Sequence, residues 1–273
     1  MGIDLRDRVL IITGASSGIG AAAAVACARA GMNVVLNGRD RQRLEQTADR
    51  VRACHREALT VVGDVTDPAV NRQLLDVATR RFGGFYAVLA NAGYGFKKPS
   101  HELVMAELRA IFEVNFFAAF DLLSEAARRL IATQRPGHLL MSSSAVAKFT
   151  LVNFAAYSAT KAAQNHFCRA MRLELRPYGI EVSSVHPITT RTDFFRRSAA
   201  YGQRCYDPQR VYDHVPRWLL QSPQRVARAI VACLRRPRPE VWTSALTRWA
   251  AGLVTIFPRL ADVLGHRGQP IDV

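Results

Sequence analysis

Short apolar runs, many of them β-branched, alternate along the chain with longer amphipathic or alanine-rich stretches. That rhythm predicts a parallel sheet covered by helices on both faces. Residues 9–13 read as a first strand. Residues 21–30 read as an alanine-rich helix stopped by Gly31, since glycine is the residue that most easily takes the left-handed turn ending a helix. A second strand follows at 33–37, then a charged surface helix over 40–52 capped by Asp40. Further strands are predicted near 59–62, 87–90, 138–141 and 181–185. The intervening helices end at Gly83-Gly84, Pro136-Gly137 and Gly179.

The rhythm breaks after Pro187. Residues 189–221 show no clear strand and are rich in Phe, Tyr and Arg; a helix resumes over 223–234, and 240–242 reads as a last short strand. Residues 247–265 form an apolar tail interrupted by Pro258. The whole chain, 1–273, therefore reads as one α/β domain with a Rossmann-type, doubly wound parallel sheet. It divides into a core over about 6–188, an irregular substrate lid over about 189–222, and C-terminal helices with an apolar tail over 223–273.

The first strand runs into Thr13-Gly14-Ala15-Ser16-Ser17-Gly18-Ile19-Gly20. Glycines there let the backbone turn sharply and approach a pyrophosphate, and the N-terminus of the next helix offers N–H groups and a positive dipole end. Gly14, Ser16, Ser17, Gly18, Ile19 and Gly20 are thus candidates for binding a dinucleotide. The end of the second strand bears on which one. A carboxylate at that point would hold the adenosine ribose hydroxyls and repel a 2′-phosphate. The sequence instead has Leu36-Asn37-Gly38-Arg39 before Asp40, and Arg39 offers phosphate a planar fork of donors. NADP(H) is the expected cofactor.

Composition adds one oddity, a net charge of +15 carried almost entirely by arginine, because the lysines are only Lys97, Lys98, Lys148 and Lys161. The positive charges are spread along the chain with short clusters at Arg128-Arg129, Arg196-Arg197 and 235–238, which does not make a nucleic-acid stripe, and no nucleic-acid partner is expected. Five cysteines without C-x-x-C spacing and histidines without an H-E-x-x-H pair argue against a disulfide framework and against a metal. The charged N-terminus lacks a signal-peptide core, and no uncharged apolar run reaches eighteen residues, so a cytoplasmic protein is expected.

Tyr157-Ser158-Ala159-Thr160-Lys161 lies at the start of a helix predicted to run to about residue 175. Tyr157 and Lys161, four apart, share a face of it, about 6 Å apart along the axis. A tyrosine with a pKa near 10 is a poor base unless its phenolate is stabilised, and a neighbouring ammonium stabilises it. Thirteen residues before Tyr157 stands Ser144, last of Ser142-Ser143-Ser144, where a hydroxyl can orient a carbonyl oxygen.

These motifs together resemble the short-chain dehydrogenase/reductase family over roughly residues 6 to 195. Shared with it are the T-G-x-x-x-G-x-G loop, Asp64 in Gly63-Asp64-Val65-Thr66, Asn91-Ala92-Gly93, the Ser144…Tyr157…Lys161 set, and Asn115 within Val114-Asn115-Phe116. The resemblance implies that Tyr157 is general acid in reduction and general base in oxidation. Lys161 would hold the nicotinamide ribose and depress the pKa of Tyr157, Ser144 would bind the reacting oxygen, and Asn115 would anchor a water leading protons to Lys161. It further implies that Asp64, with Val65 beside it, meets the adenine, and that Asn91, with Ala92 and Gly93, positions the ribose side. It also implies a homo-oligomer, homodimer or homotetramer, built on the helix bearing Tyr157.

One departure stands out. Where the family has Pro-Gly, this chain has Pro187-Ile188, and a β-branched residue does not readily adopt glycine-only backbone angles. The loop is expected to run differently or to press on the nicotinamide, with Thr190 or Thr192 bonding the carboxamide. Tyr94, Phe96, Phe149, Leu151, Phe154, Phe194 and Phe195, followed by Tyr201, Tyr206, Tyr212 and Trp218, suggest a bulky apolar carbonyl or secondary-alcohol substrate under a mobile lid. Leu253, Ile256 and Phe257 are expected to be covered by protein, on the lid or in a dimer, in preference to peripheral contact with a membrane. The alternative to an enzyme is a non-catalytic NADP-binding sensor or scaffold, for which Ile188 is the best argument.

Overall fold

A computed structural model describes residues 2–149, 151–194, 219–257 and 259 of the chain. The strands are β1 (Val9–Ile12), β2 (Asn33–Gly38), β3 (Ala58–Val62), β4 (Ala87–Ala90), β5 (Gly137–Ser142), β6 (Ile180–His186) and β7 (Glu240–Trp242). They form one parallel sheet in the order β3-β2-β1-β4-β5-β6-β7. Its register places Ile12 beside both Leu36 and Leu89. The order reverses between β1 and β4, and the crevice at that switch point, beyond the strands' carboxyl ends, is where such sheets bind ligands.

Helices cover both faces: α1 (Gly18–Arg29), α2 (Arg41–Arg52), α3 (Pro68–Phe82), α4 (Met105–Phe112), α5 (Ala118–Ala132), α6 (Ala155–Leu175), α7 (Pro223–Arg235) and α8 (Ala245–Ile256). The strands are apolar on both sides because both sides are covered. Leu10 and Ile12 pack with the alanines of α1 and with Val226 and Ile230 of α7. Val9 and Ile11 pack on the opposite face with Leu74 of α3, Leu122 of α5 and Met171 of α6. Local chemistry sets the helix ends. Asp40 caps α2 by accepting from the Arg43 N–H at 3.0 Å, Asp67 caps α3 ahead of Pro68, and Gly83 ends α3 at φ +73°.

Two features depart from the expected pattern. The helix holding Asn115 is not regular: α4 passes into α5 through a π-helical turn, Glu113–Phe117. The tail departs more plainly. α8 begins at Ala245 and buries only its small residues Thr247 and Ala251, whereas Trp249 is 75% and Ile256 69% exposed, with Leu253 and Phe257 also exposed. Leu253, Ile256 and Phe257 thus face outward among the described residues, and the cover expected for them, from the lid or a dimer, lies outside those residues. The physical reason is that α8 docks on β7 and on the 3-10 turn Ala145–Ala147 by its narrow side, which turns its large apolar groups outward. Of the lid expected over about 189–222, residues 195–218 lie outside the described residues, as do residues 260–273. Among the described residues no helix is long and apolar enough to cross a membrane.

Candidate active site

The glycine turn is built as a close-approach device. Gly14 (φ +64°) and Gly18 (φ +57°) occupy left-handed backbone, and a Cβ on Gly20 would lie 2.3 Å from the Gly14 carbonyl oxygen. The turn is held from two sides. Ala15 N–H donates to Asn37 O of β2 at 2.8 Å, and the Thr13 hydroxyl accepts from the N–H groups of Asn91 and Ala92 at 3.0 and 3.1 Å. The Asn91 amide donates to Thr13 O at 3.1 Å, so its side chain braces the turn from beneath. Gly38 lies against Ser16, whose Cβ would be 3.1 Å from an added side chain. A cleft of about 660 Å³ opens beside this turn, lined among others by Ser17, Gly18, Arg43, Arg191 and Thr192. Bare backbone at a helix N-terminus, a nearby cleft and several guanidinium groups suit a dinucleotide phosphate.

Outside the lining of that cleft, at the ends of β2 and β3, stand Arg39 and Asp64. They face each other at 3.5 Å, with side chains 62% and 42% exposed. Burial works against ionisation of Asp64, but hydrogen bonds from Thr66 and the Arg39 charge hold its carboxyl below the usual range. Val65 beside it is buried and lends its carbonyl to Asn71.

The loop after β6 answers the question raised by Ile188. Among the described residues the non-glycine positive-φ positions are Asp7, His55, Gln134 and Asn153, so Ile188 takes ordinary backbone and the loop does not demand glycine there. Pro187 O accepts from Ala145 N–H at 3.0 Å, and Ile188 is buried. The Thr190 hydroxyl is spent within the loop, donating to Ile188 O at 2.8 Å and accepting from Gln221 at 3.0 Å. Thr192 instead packs its methyl 3.2 Å from where a Gly18 side chain would begin, directly against the glycine turn.

β5, α6 and the π-turn converge on Tyr157 and Lys161. The serine run divides its work. Ser142 O accepts from Lys161 Nζ at 2.8 Å, Ser143 Oγ donates to Lys161 O at 2.9 Å, and the Ser144 hydroxyl bonds Tyr157. Lys161 is buried, with Nζ 5.5 Å from the Tyr157 ring centre. The Asn115 side chain clamps the turn after β4: Oδ1 accepts from Tyr94 N–H at 3.0 Å, and Nδ2 donates to Tyr94 O at 2.8 Å and to Thr160 Oγ1 at 3.0 Å. Gly93 makes room for this clamp, since its Cβ would stand 3.0 Å from Asn115 Oδ1 and 3.6 Å from Lys161 Nζ.

Burial dominates the electrostatics. It pushes the Tyr157 phenol up to about 12, with the Ser144 hydroxyl bond pulling the other way, and pushes Lys161 down to about 7. A neutral phenol beside a marginal ammonium is a proton donor at neutral pH. Apolar groups ring it: Phe194 lies 5.4 Å and Phe154 6.4 Å from Tyr157 by ring centres. Phe96 packs with Ile111 and Ala156 as a small satellite core.

Three contributions escape a reading of the sequence alone. Gly95 has no room for a side chain, because a Cβ would come within 2.8 Å of Phe194 and 2.9 Å of Tyr157. His186, stacked on Trp242 at 4.6 Å, donates from Nδ1 to Ser144 O at 2.9 Å and so fixes the serine's backbone. Gln164 bonds both Lys161 and Asn115. Only Gln164 carried a signal, its place three residues from Lys161 on the same helix face.

The strand order, the glycine turn at the switch point and the Ser–Tyr–Lys–Asn cluster define a nicotinamide-binding oxidoreductase of the Rossmann type. The family model for short chain dehydrogenase matches residues 8–201, and the chain belongs to the short-chain dehydrogenase/reductase family. It is 35% identical over 185 residues, 67% of each chain, to a 1-deoxy-11-beta-hydroxypentalenate dehydrogenase of Streptomyces exfoliatus. In fold it resembles a short-chain dehydrogenase/reductase of Burkholderia phymatum solved in complex with NAD, at TM-score 0.83, 22% identity and 99% coverage of both chains. It also resembles a 7-alpha-hydroxysteroid dehydrogenase complexed with NADH and 7-oxo glycochenodeoxycholic acid, at TM-score 0.75 and 28% identity, covering 85% of this chain and 89% of that one. None of this favours the non-catalytic alternative.

Proposed function

We infer that the protein moves a hydride between NADP(H) and the carbonyl/secondary-alcohol pair of a bulky, apolar small molecule. The observation that carries this reading is a buried Tyr157–Lys161 pair with the Ser144 hydroxyl, joined to a phosphate-ready glycine turn through Asn91-Ala92-Gly93, which touches both Gly14 and Lys161. The bound nicotinamide supplies or accepts the hydride. Tyr157 gives its proton to the substrate oxygen in reduction and takes it back in oxidation, and Ser144 Oγ holds that oxygen. Lys161, with two donors fixed on Ser142 and Gln164, has its third for the ribose side and for Tyr157. Burial keeps the Tyr157 phenol protonated at neutral pH, the form that donates in reduction.

NADP(H) over NAD(H) rests on Arg39 and on the absence of a carboxylate at Gly38, and the NAD and NADH of the two solved relatives are those proteins' own ligands. Thr192, against the glycine turn, is the better partner for the carboxamide than Thr190. Tyr94, Phe154 and Phe194 line the substrate side, and a steroid-sized ligand in a 28% identical relative agrees with a bulky substrate. Homo-oligomerisation through α5 and α6 fits their outer face, where Phe120 (40%) and Leu173 (71%) are exposed, with Phe117 (48%) of the π-turn beside them in sequence. The test is a screen of apolar ketones and aldehydes, following the absorbance of NADPH, with Tyr157→Phe alongside. Turnover is expected for the wild-type chain and lost by more than about a hundredfold in the variant, the scale of general acid catalysis. Turnover surviving in the variant would remove Tyr157 from the role.

A further inference from the structure

The carboxamide of Gln164 occupies a place that neither the fold nor the proton chemistry above requires to be filled by a side chain. It is 1% exposed and spans the two halves of the site. Its Oε1 accepts from Lys161 Nζ at 3.0 Å, and its Nε2 donates to the backbone carbonyl of Asn115 in the π-turn. The orientation is not a free choice. A carbonyl oxygen only accepts and an amine bearing protons donates, so the flipped amide would set donor against donor and acceptor against acceptor. Both ends are therefore matched in a single geometry.

The consequence falls on Lys161. With Ser142 O on one side and Gln164 Oε1 on the other, two of its donors are tied down and the direction of the third is fixed. Its other neighbours are Tyr157 one turn earlier on α6, the Thr160 hydroxyl already bonded to Tyr157 O and Asn115, and the Gly93 backbone. No carboxylate of a described residue bonds Lys161, so the oxygens that stabilise its charge are the two neutral ones. A π-turn is the kind of local irregularity that redirects a backbone carbonyl away from its own helix, and here the carbonyl of Asn115 meets a side chain from α6.

We propose that Gln164 is a positioning residue for catalysis: its amide clamps Lys161 Nζ to the Asn115 carbonyl, aims the remaining N–H at Tyr157 and the ribose side, and sustains the charged form of Lys161. The proposal rests on the oxidoreductase reading for its meaning in turnover, but not for its test. With only four lysines in the chain, side-chain labelling with 13C-lysine gives a spectrum in which Lys161 is assigned by its loss in Lys161→Arg.

The full-length wild-type, Gln164→Met and Gln164→Glu chains are titrated by NMR. Removal of a hydrogen bond to the charged form in Gln164→Met should lower the Lys161 midpoint by about one pH unit or more, and the carboxylate of Gln164→Glu should raise it by about as much. With a substrate in hand, Gln164→Met should lose about tenfold or more in kcat, while KM for the cofactor stays within about threefold. A folded variant whose Lys161 midpoint stays within about 0.3 unit of wild type overturns the proposal. If neither variant folds, the wild-type Gln164 carboxamide protons decide: exchange with solvent within minutes means that no clamp exists. Absence of turnover with every substrate would strike the oxidoreductase reading and leave the Lys161 titration to judge the clamp.

Discussion

Arg39→Ala separates what Arg39 does for the fold from what it does for the cofactor. In the protein alone the guanidinium faces Asp64 at 3.5 Å, with both side chains well exposed. An ion pair that open to water contributes between nothing and about 1 kcal/mol, so the variant should unfold within a few degrees of wild type. A charge-assisted bond to a phosphate is worth roughly 1.5–3 kcal/mol, which converts to a loss of about 10- to 150-fold in NADPH affinity. NADH has no 2′-phosphate to lose, and its affinity should hold within about threefold. Fluorescence titration with each nucleotide, at one ionic strength because exposed charges are screened by salt, reads the ratio directly. If NADPH and NADH weaken together, or neither changes, Arg39 is a surface charge and the assignment of NADP(H) falls.

Gly95→Ala should cut kcat at least about tenfold with only a modest loss of stability, since its methyl would press on the Tyr157 and Phe194 rings; unaltered steady-state kinetics would show that the ring positions are not coupled to the reaction. Acid should destabilise the protein early. Burial pushes His138 down to about 3 and His186 down to about 4, against an unfolded value of 6.5, so the unfolded chain binds more protons and stability falls as pH drops through 6.5 towards those values. By pH 5 each histidine costs about 2 kcal/mol, and urea unfolding at pH 7 and pH 5 should differ accordingly; equal stabilities would contradict the burial.

The sheet was legible because β1 and β4 are apolar runs, β5 and β6 are short and mostly buried, and all are punctuated by glycine, aspartate and proline, signals that act locally. Asp40 at the head of α2 and Gly83 at the end of α3 do what those residue types do anywhere. The catalytic set was legible through spacing and family resemblance together. What escaped depends on contacts between distant segments. No periodicity announces that α4 and α5 join through a π-turn, or that Asn91 turns under Thr13. The concern over Ile188 arose from comparing one residue type with another; the backbone angle that decides it is a property of the folded loop. The outward turn of Trp249, Leu253, Ile256 and Phe257 escaped because apolar content predicts a need for cover but not which molecule supplies it.

The central claim is that this crevice carries a hydride from the nicotinamide to a carbonyl carbon while Tyr157 protonates the oxygen. It is tested most directly by incubating the protein with NADPH deuterated at the transferring C4 position and an apolar ketone that the wild-type chain reduces. Mass spectrometry and NMR of the product should find one deuterium, on the carbinol carbon, in a single configuration. Tyr157→Phe should bind NADPH with affinity within about threefold of wild type and form no labelled alcohol on the same time scale. Product without deuterium, or labelled product formed by Tyr157→Phe at the wild-type rate, would contradict the account.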